Sequence, residues 1–202
     1  LPDDVSVGGV EFSPDGRMIS FLWTKDGEKR AVWGIPVDGG AQRKLAEVDG
    51  VGVSSYAWSP DGSMIHMLTA AAEDTERTSQ NEAGFNAIVY EEEARLNRLF
   101  SARVGEEIDE NPRAVTIPGY VSAFHVAPDG RMAVVESAPT PQIDDAYTSK
   151  RAHIIDLVTG EITRVVETPG KLGDIEISPD GRQLSMIAGV DVNDPADTTL
   201  HL

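Results

Sequence analysis

Short hydrophobic runs recur along the chain, and each of them follows the same polar turn. The tetrapeptide Ser/Ala-Pro-Asp-Gly begins at Ser13, Ser59, Ala127 and Ser178, at spacings of 46, 68 and 51 residues. Proline presets the backbone angle of the second turn residue, aspartate hydrogen-bonds to nearby backbone, and glycine accepts a positive φ. The pattern therefore predicts a strand, a turn and a second strand at each copy.

The strands after the turns are almost continuously apolar, which indicates burial on both faces. These runs are Met18–Trp23, Met64–Leu68, Met132–Val135 and Leu184–Ala188. A second hairpin follows in two of the units. In the first, the turn Asp38-Gly39-Gly40 separates Ala31–Val37 from Gln42–Leu45. In the third, the turn Thr159-Gly160 separates His153–Leu157 from Ile162–Val166. Each complete unit is therefore predicted to have four strands.

Four-stranded units that repeat every 40 to 50 residues or so are typical of β-propeller blades. We expect one all-β domain, a partial β-propeller of about three and a half blades near residues 1–48, 49–118, 119–170 and 171–202, the last unfinished. A solenoid needs shorter repeats, and an immunoglobulin-like sandwich would not explain the recurring turn. The second unit is longer by roughly 20 residues, and helical composition occurs only there, in Glu73–Glu82 and Glu91–Asn97.

The composition narrows the function classes. The 202 residues include 34 Asp and Glu against 17 Lys and Arg, a net charge of −17, and no cysteine. This charge disfavours binding to nucleic acids and anionic membranes. The lack of cysteine excludes disulfides, thiolate zinc sites and a cysteine nucleophile. No apolar run approaches the ~18 residues of a membrane-spanning helix. A highly acidic, cysteine-free chain is compatible with export, so we favour a periplasmic or secreted location over a cytoplasmic one.

Few residues form a motif that indicates chemistry. The histidines fall in four different predicted strands, and we interpret them as structural: His66, His125, His153 and His201. The acidic segment Asp191–Asp197 lacks the glycine and spacing of a calcium loop. We expect neither a metal nor a cofactor. Aromatic residues at strand positions are predicted to pack in the core, namely Phe12, Phe21, Trp23, Trp33 and Trp58.

Several segments resemble the N-terminal propeller of prolyl oligopeptidase-family (S9) serine peptidases, especially acylaminoacyl-peptidase and dipeptidyl-peptidase-like members. They are the strand–turn–strand repeat, Val37–Gly40, Val53–Gly62, Ala83–Glu92, Asn97–Phe100, Pro139–Tyr147 and Thr168–Ile175. Related blades occur in TolB-like periplasmic scaffolds, so the turn motif by itself selects only the wider propeller group.

The resemblance implies a C-terminal α/β-hydrolase domain that this chain does not contain, because no Gly-x-Ser-x-Gly elbow occurs here. The chain alone is then expected to be inactive and to gate or select oligopeptide substrates in the parent enzyme. The missing catalytic domain or a second copy would cover its open blade edges.

The resemblance also makes Glu91, Glu92 and Glu93 candidates for binding a substrate's free α-ammonium group. A solvated acidic helix face, with Glu91 and Glu92 paired to Arg95, is the alternative. Two other functions remain open: a TolB-like scaffold for protein–protein interaction, and a stand-alone propeller enzyme that uses acids in its channel.

Overall fold

Antiparallel strands that follow one another in the chain form four separate sheets. The computed structural model describes residues 7–25, 27–70, 75–85, 95–168, 170–193 and 199–202. In each sheet the strands pair in sequence order, with no crossover among the described residues. This up-and-down order is that of propeller blades, and the fold is an all-β partial propeller.

The first two sheets have four strands each. The first comprises β1 Val7–Phe12, β2 Met18–Trp23, β3 Ala31–Pro36 and β4 Arg43–Ala46. The second comprises β5 Val53–Trp58, β6 Met64–Thr69, β7 Arg98–Arg103 and β8 Arg113–Val115. Helix α1, Thr75–Glu82, lies in the insertion between β6 and β7, close to the helical segment expected from composition.

The third sheet has four strands and the fourth has three among the described residues. The third comprises β9 Tyr120–Val126, β10 Met132–Ala138, β11 Arg151–Asp156 and β12 Ile162–Val166. The fourth comprises β13 Leu172–Ile177, β14 Leu184–Ala188 and β15 Thr199–His201. Helix α2, Ile143–Thr148, lies between β10 and β11, where we had not expected a helix.

The recurring turn has the predicted hydrogen bonds. In the first copy Ser13 Oγ donates to Asp15 Oδ1 at 2.6 Å and accepts from the Met18 amide at 3.0 Å, while Gly16 has a φ of +69°. The second and fourth copies repeat the serine–aspartate bond at 2.6 Å. The third copy has alanine instead of serine, and Asp129 accepts directly from the amides of the following residues. The turn thus fixes the register between the first two strands of each sheet.

Three hydrophobic clusters join consecutive sheets face to face. The first holds Leu22 and Tyr56, the second Leu68 and Val135, and the third Val134 and Ile175. β5 contacts β9 directly, so the first strands of neighbouring sheets approach each other, as inner strands of blades do.

The aromatic prediction is confirmed in part. Phe21, Trp23 and Trp33 form a buried cluster on the outer face of the first sheet, and Trp58 is partly buried between the first two sheets. The prediction is wrong for Phe12, which is 67% exposed. Phe12 lies on the first strand of the first sheet, on the face that has no preceding sheet among the described residues.

Candidate functional site

The main functional candidate is a cleft of about 920 Å³ between the third and fourth sheets, which we term the inter-sheet cleft. Strands β9 and β10 and helix α2 form one side, and β13, β14 and β15 form the other. Its lining includes the ionisable residues His125, Glu136, Tyr147, Lys150, Lys171, Asp174 and Glu176. Among the described residues, the other two contacts between sheets consist of apolar clusters, whereas this one includes a buried carboxylate.

That carboxylate belongs to Glu136, which occupies a position otherwise filled by aliphatic residues. Nine residues after the start of each turn motif, the chain has Leu22, Leu68, Glu136 and Ile187. Leu22 and Leu68 pack in the clusters between sheets, whereas Glu136, at the same place on β10, is 6% exposed. Burying a carboxylate in place of a leucine destabilises the fold unless the charge is paired. The groups that contact Glu136 therefore decide how much its burial costs.

Lys150 and His125 both contact the carboxylate of Glu136. Lys150 Nζ lies 2.9 Å from Glu136 Oε2, and His125 Nε2 lies 3.5 Å from Glu136 Oε1. The Lys150 side chain is 18% exposed and that of His125 40%, so the buried acid is bridged to two groups nearer the solvent. His125 comes from β9, while Lys150 follows helix α2.

These contacts set the protonation states. Burial would raise the pKa of Glu136, but the hydrogen bonds from His125 and Lys150 outweigh it and hold that pKa below its usual value. The hydrogen bond with Glu136 raises the pKa of His125 against the effect of burial, and the charges of Glu176 and Asp174 act in the same direction. At neutral pH Glu136 is therefore ionised, and His125 keeps its proton to a higher pH than a free histidine does.

Helix α2 connects the two sides of the inter-sheet cleft. Asp145 accepts a hydrogen bond from Thr140 Oγ1 at 2.6 Å, which ties the first turn of the helix to the chain before it. Tyr147, near the end of the helix, lies under Lys171 of the fourth sheet's side, with Nζ 4.5 Å from the ring centroid. A cation–π contact of this kind holds the helix against the other sheet.

The remaining acids make the inter-sheet cleft negative overall. Asp174 and Glu176 lie on β13 and are exposed, and neither forms an ion pair with another described residue. Together with Glu136 they outnumber Lys150 and Lys171 while His125 is neutral. The cleft therefore favours ligands that carry a positive charge, in line with the net charge of −17.

The structure brings two serine–histidine pairs together that the sequence did not indicate. His66 Nδ1 lies 2.8 Å from Ser101 Oγ, and His153 Nε2 lies 2.9 Å from Ser137 Oγ. All four side chains are buried, and the second ring nitrogen of each histidine has no hydrogen-bond partner. Burial lowers the pKa of His66 to about 4. Because none of the carboxylates that the structure describes forms a hydrogen bond with either ring, neither pair has the arrangement of a catalytic triad.

The prediction that the four histidines fall in four different strands is confirmed: they lie in β6, β9, β11 and β15. In the part of the chain that the structure describes, no group of three or more His, Cys, Asp or Glu residues is arranged to hold a metal ion. Nor does that part contain a helix that is long and apolar enough to cross a membrane.

The predicted substrate-binding residues Glu91, Glu92 and Glu93 lie outside the described residues, as do Asp194–Asp197 of the acidic segment. The sequence reasoning missed Glu136, Lys150 and the pairing role of His125. An alignment of the four turn motifs would have revealed Glu136, because it is the one acidic residue in a column of aliphatic residues.

Comparison with known proteins gives one match in sequence and several in fold. No family model matches the chain. A protein of Bacillus subtilis (strain 168) described as an uncharacterized peptidase, YuxL, is 35% identical over 75 residues. The match spans 35% of this chain and 11% of that protein.

Among solved structures, the putative TolB of Agrobacterium tumefaciens superimposes with a TM-score of 0.58 at 15% identity, over 96% of this chain and 63% of that one. TolB of Acinetobacter baumannii superimposes with a TM-score of 0.57 at 14% identity, over 94% of this chain and 39% of that one. Hydrazine synthase of Kuenenia stuttgartiensis superimposes with a TM-score of 0.55 at 16% identity, over 90% of this chain and 43% of that one. The chain thus has a TolB-like propeller fold and spans less than two thirds of each of these proteins.

Proposed function

We propose that this chain is the propeller part of an S9-like serine peptidase, in which it gates or selects oligopeptides for a C-terminal α/β-hydrolase domain. The observation that carries the proposal is the 35% identity over 75 residues to a protein described as a peptidase. The segments that resemble S9 propellers support it further, because they occur in all four repeat units and not only in the recurring turns.

Electrostatics supports peptides as the selected molecules. A net charge of −17 gives the propeller a negative field, which attracts the cationic end of a peptide and repels nucleic acids. Within this proposal, Glu91, Glu92 and Glu93 bind the free α-ammonium group of the substrate through charge-assisted hydrogen bonds.

A serine-reactive fluorophosphonate probe tests the peptidase assignment. The intact natural polypeptide is labelled, digested and mapped by mass spectrometry, with the isolated 202-residue chain as the control. We expect one labelled serine, in a Gly-x-Ser-x-Gly sequence outside this chain, and no labelling of the control. A labelled serine within the chain, or no labelled serine in the intact polypeptide, would contradict the proposal.

The role of the acidic run has its own test. In the intact enzyme, Glu91→Ala and Glu92→Ala should each raise KM for peptides with a free N-terminus, about tenfold if one charge-assisted contact is lost. The KM for the same peptides with an acetylated N-terminus should stay constant. If KM for the free peptides is unchanged in both variants, this role is wrong, while the peptidase assignment is still decided by the probe.

A second candidate is a TolB-like scaffold that binds partner proteins without attached catalysis. It is favoured by the superposition over 96% of the chain on a TolB structure. The fluorophosphonate experiment separates the two, because a scaffold has no serine that the probe labels in any part of the polypeptide.

A further inference from the structure

The buried carboxylate of the inter-sheet cleft is paired unequally by its two neighbours. Glu136 Oε2 lies 2.9 Å from Lys150 Nζ, whereas Glu136 Oε1 lies 3.5 Å from His125 Nε2. The second distance is longer than the roughly 2.9 Å of a well-formed hydrogen bond. Oε1 can therefore accept a stronger hydrogen bond from a donor that enters the cleft.

Two further carboxylates lie near His125 on the other side of the cleft. Asp174 and Glu176 are exposed residues of β13, and their charges act on His125 together with that of Glu136. His125 therefore lies between a carboxylate of the third sheet and carboxylates of the fourth. A positive charge in this space is stabilised from both sides.

The rest of the lining suits an alkyl chain. Tyr147 of helix α2 lies on one side, and Leu172, Ile175 and Met186 of the fourth sheet lie on the other. The volume of about 920 Å³ is at the upper end of the range of about 300 to 1,000 Å³ that is usual for ligand pockets. An apolar wall that leads to a carboxylate matches a side chain whose methylene groups end in a cation.

The residues of this site lie at the boundary between two consecutive sheets. Glu136 and His125 are on strands of the third sheet, and Asp174 and Glu176 are on the first strand of the fourth. The apolar cluster that includes Val134 packs the same two sheets together. The arrangement is therefore set by packing between two described sheets.

We propose that the inter-sheet cleft binds the cationic side chain of a peptide, a lysine or an arginine. The methylene groups lie against Tyr147, and the charge lies among Glu136, Asp174 and Glu176. The cleft is large enough to accommodate the neighbouring peptide backbone as well as the side chain. The proposal goes beyond the proposed function and does not depend on it, because binding is measured without turnover.

His125 should compete with the bound side chain for the same carboxylates. The other charged groups that line the cleft around it are Glu136, Lys150, Lys171, Asp174 and Glu176. Protonated His125 donates to Glu136 and adds one positive charge to the cleft, whereas neutral His125 does neither. The affinity for a cationic side chain should therefore rise as the pH rises through the pKa of His125, which the hydrogen bond with Glu136 raises above its ordinary value.

Isothermal titration calorimetry on the intact natural polypeptide measures the binding, after treatment with the fluorophosphonate probe to prevent turnover. The ligand is acetyl-alanyl-lysyl-alanine amide, and its norleucine analogue, which has an alkyl side chain without the charge, is the control. The acetyl group keeps both peptides from any site for a free α-ammonium group. The lysine peptide should bind at least tenfold more tightly than the norleucine peptide.

Two variants each remove one carboxylate from the cleft. Glu136→Leu should weaken binding of the lysine peptide about tenfold. Glu176→Gln should weaken it about threefold, because Glu176 is exposed. The matched control, Glu161→Leu, removes an exposed acid between β11 and β12, outside the cleft, and should leave the affinity unchanged. Circular dichroism verifies each fold, and Glu176→Gln keeps the test valid if Glu136→Leu does not fold.

The pH dependence provides a separate readout. From pH 6 to pH 8.5 the wild type should bind the lysine peptide about fivefold more tightly, since one positive charge leaves the cleft. His125→Gln should bind it equally at both pH values. A pH dependence of the same size in His125→Gln would contradict the competition by His125.

Several results would overturn the proposal. Equal affinities for the lysine and norleucine peptides would do so, as would no detectable binding of either. A loss of affinity in Glu161→Leu as large as that in Glu136→Leu would indicate an effect of net charge alone and would also contradict it. A polypeptide without a labelled serine that still binds the lysine peptide through Glu136 would refute the peptidase assignment and support this site.

Discussion

Replacing Glu136 with leucine gives the third sheet the kind of side chain that the other three sheets have at this position. In the wild type the carboxylate is 6% exposed and is paired with Lys150 at 2.9 Å and His125 at 3.5 Å. A buried pair of this kind contributes less net stability than a well-packed aliphatic residue, because both charges lose hydration. The substitution therefore tests whether Glu136 stabilises the fold or is retained for the charge that it gives to the inter-sheet cleft.

The magnitudes follow from how deeply each partner is buried. Lys150→Met leaves an ionised Glu136 with only the half-exposed His125, and should lower the free energy of unfolding by about 3 kcal/mol. Glu136→Leu gains up to about 2 kcal/mol of apolar burial. Because the freed Lys150 can extend towards water, we expect this variant to stay within about 1 kcal/mol of the wild type. The double variant should be at least as stable as the wild type.

Urea denaturation of the four proteins at pH 7, followed by circular dichroism, gives the coupling free energy directly. Arg17→Met is the control, since Arg17 lies 3.9 Å from Asp15 in an ion pair whose side chains are 86% and 59% exposed. Because water screens this exposed pair, the substitution should leave the free energy of unfolding essentially unchanged. If the double variant is as unstable as Lys150→Met, the interpretation of Glu136 as a residue retained at a cost to stability is refuted.

Two further predictions concern a turn and a buried histidine. Gly119 has a φ of +75°, and a Cβ there would overlap the carbonyl oxygen of Ala138, so Gly119→Ala should cost about 3 kcal/mol in urea denaturation. Gly39→Ala, at a φ of +88° with open space around it, should cost only about 1 kcal/mol, and equal losses would refute the overlap. His66 has a pKa of about 4, below that of an unfolded histidine, so the unfolded chain binds a proton first and stability falls as the pH drops from about 6.5 to 4. Relative to His66→Gln, the wild type should lose about 3 kcal/mol over this range, and parallel pH profiles of the two proteins would contradict the assignment.

The strands could be predicted closely wherever a local signal was strong. Met18–Trp23, Ile162–Val166 and Leu184–Ala188 match β2, β12 and β14 residue for residue. Each of these strands is bounded by a proline–glycine turn or a glycine hairpin, and its apolar run ends where the turn begins. Helix α2 could not be predicted in this way, since six residues between Pro141 and β11 are too few to establish a helical period.

The candidate site depends on contacts that composition does not encode. His125, Glu136 and Lys150 come from β9, from β10 and from the residue before β11, and they meet only because the third sheet aligns these elements. Glu136 could have been identified by aligning the four turn motifs. Its partners His125 and Lys150 could not, because identifying them requires the register between the strands. The same repeat alignment explains the error at Phe12, because the equivalent Trp58 packs on a preceding sheet and Phe12 does not.

The most direct test of the account is the size selectivity of the intact polypeptide to which this propeller belongs. Initial hydrolysis rates are measured for a series of synthetic peptides of increasing length and for denatured casein, at equal concentrations of cleavable bonds. A propeller that gates a covered active site predicts turnover of the short peptides, a sharp decline with length, and no measurable turnover of casein. Equal rates for casein and the short peptides, or no turnover of any of them, would contradict it.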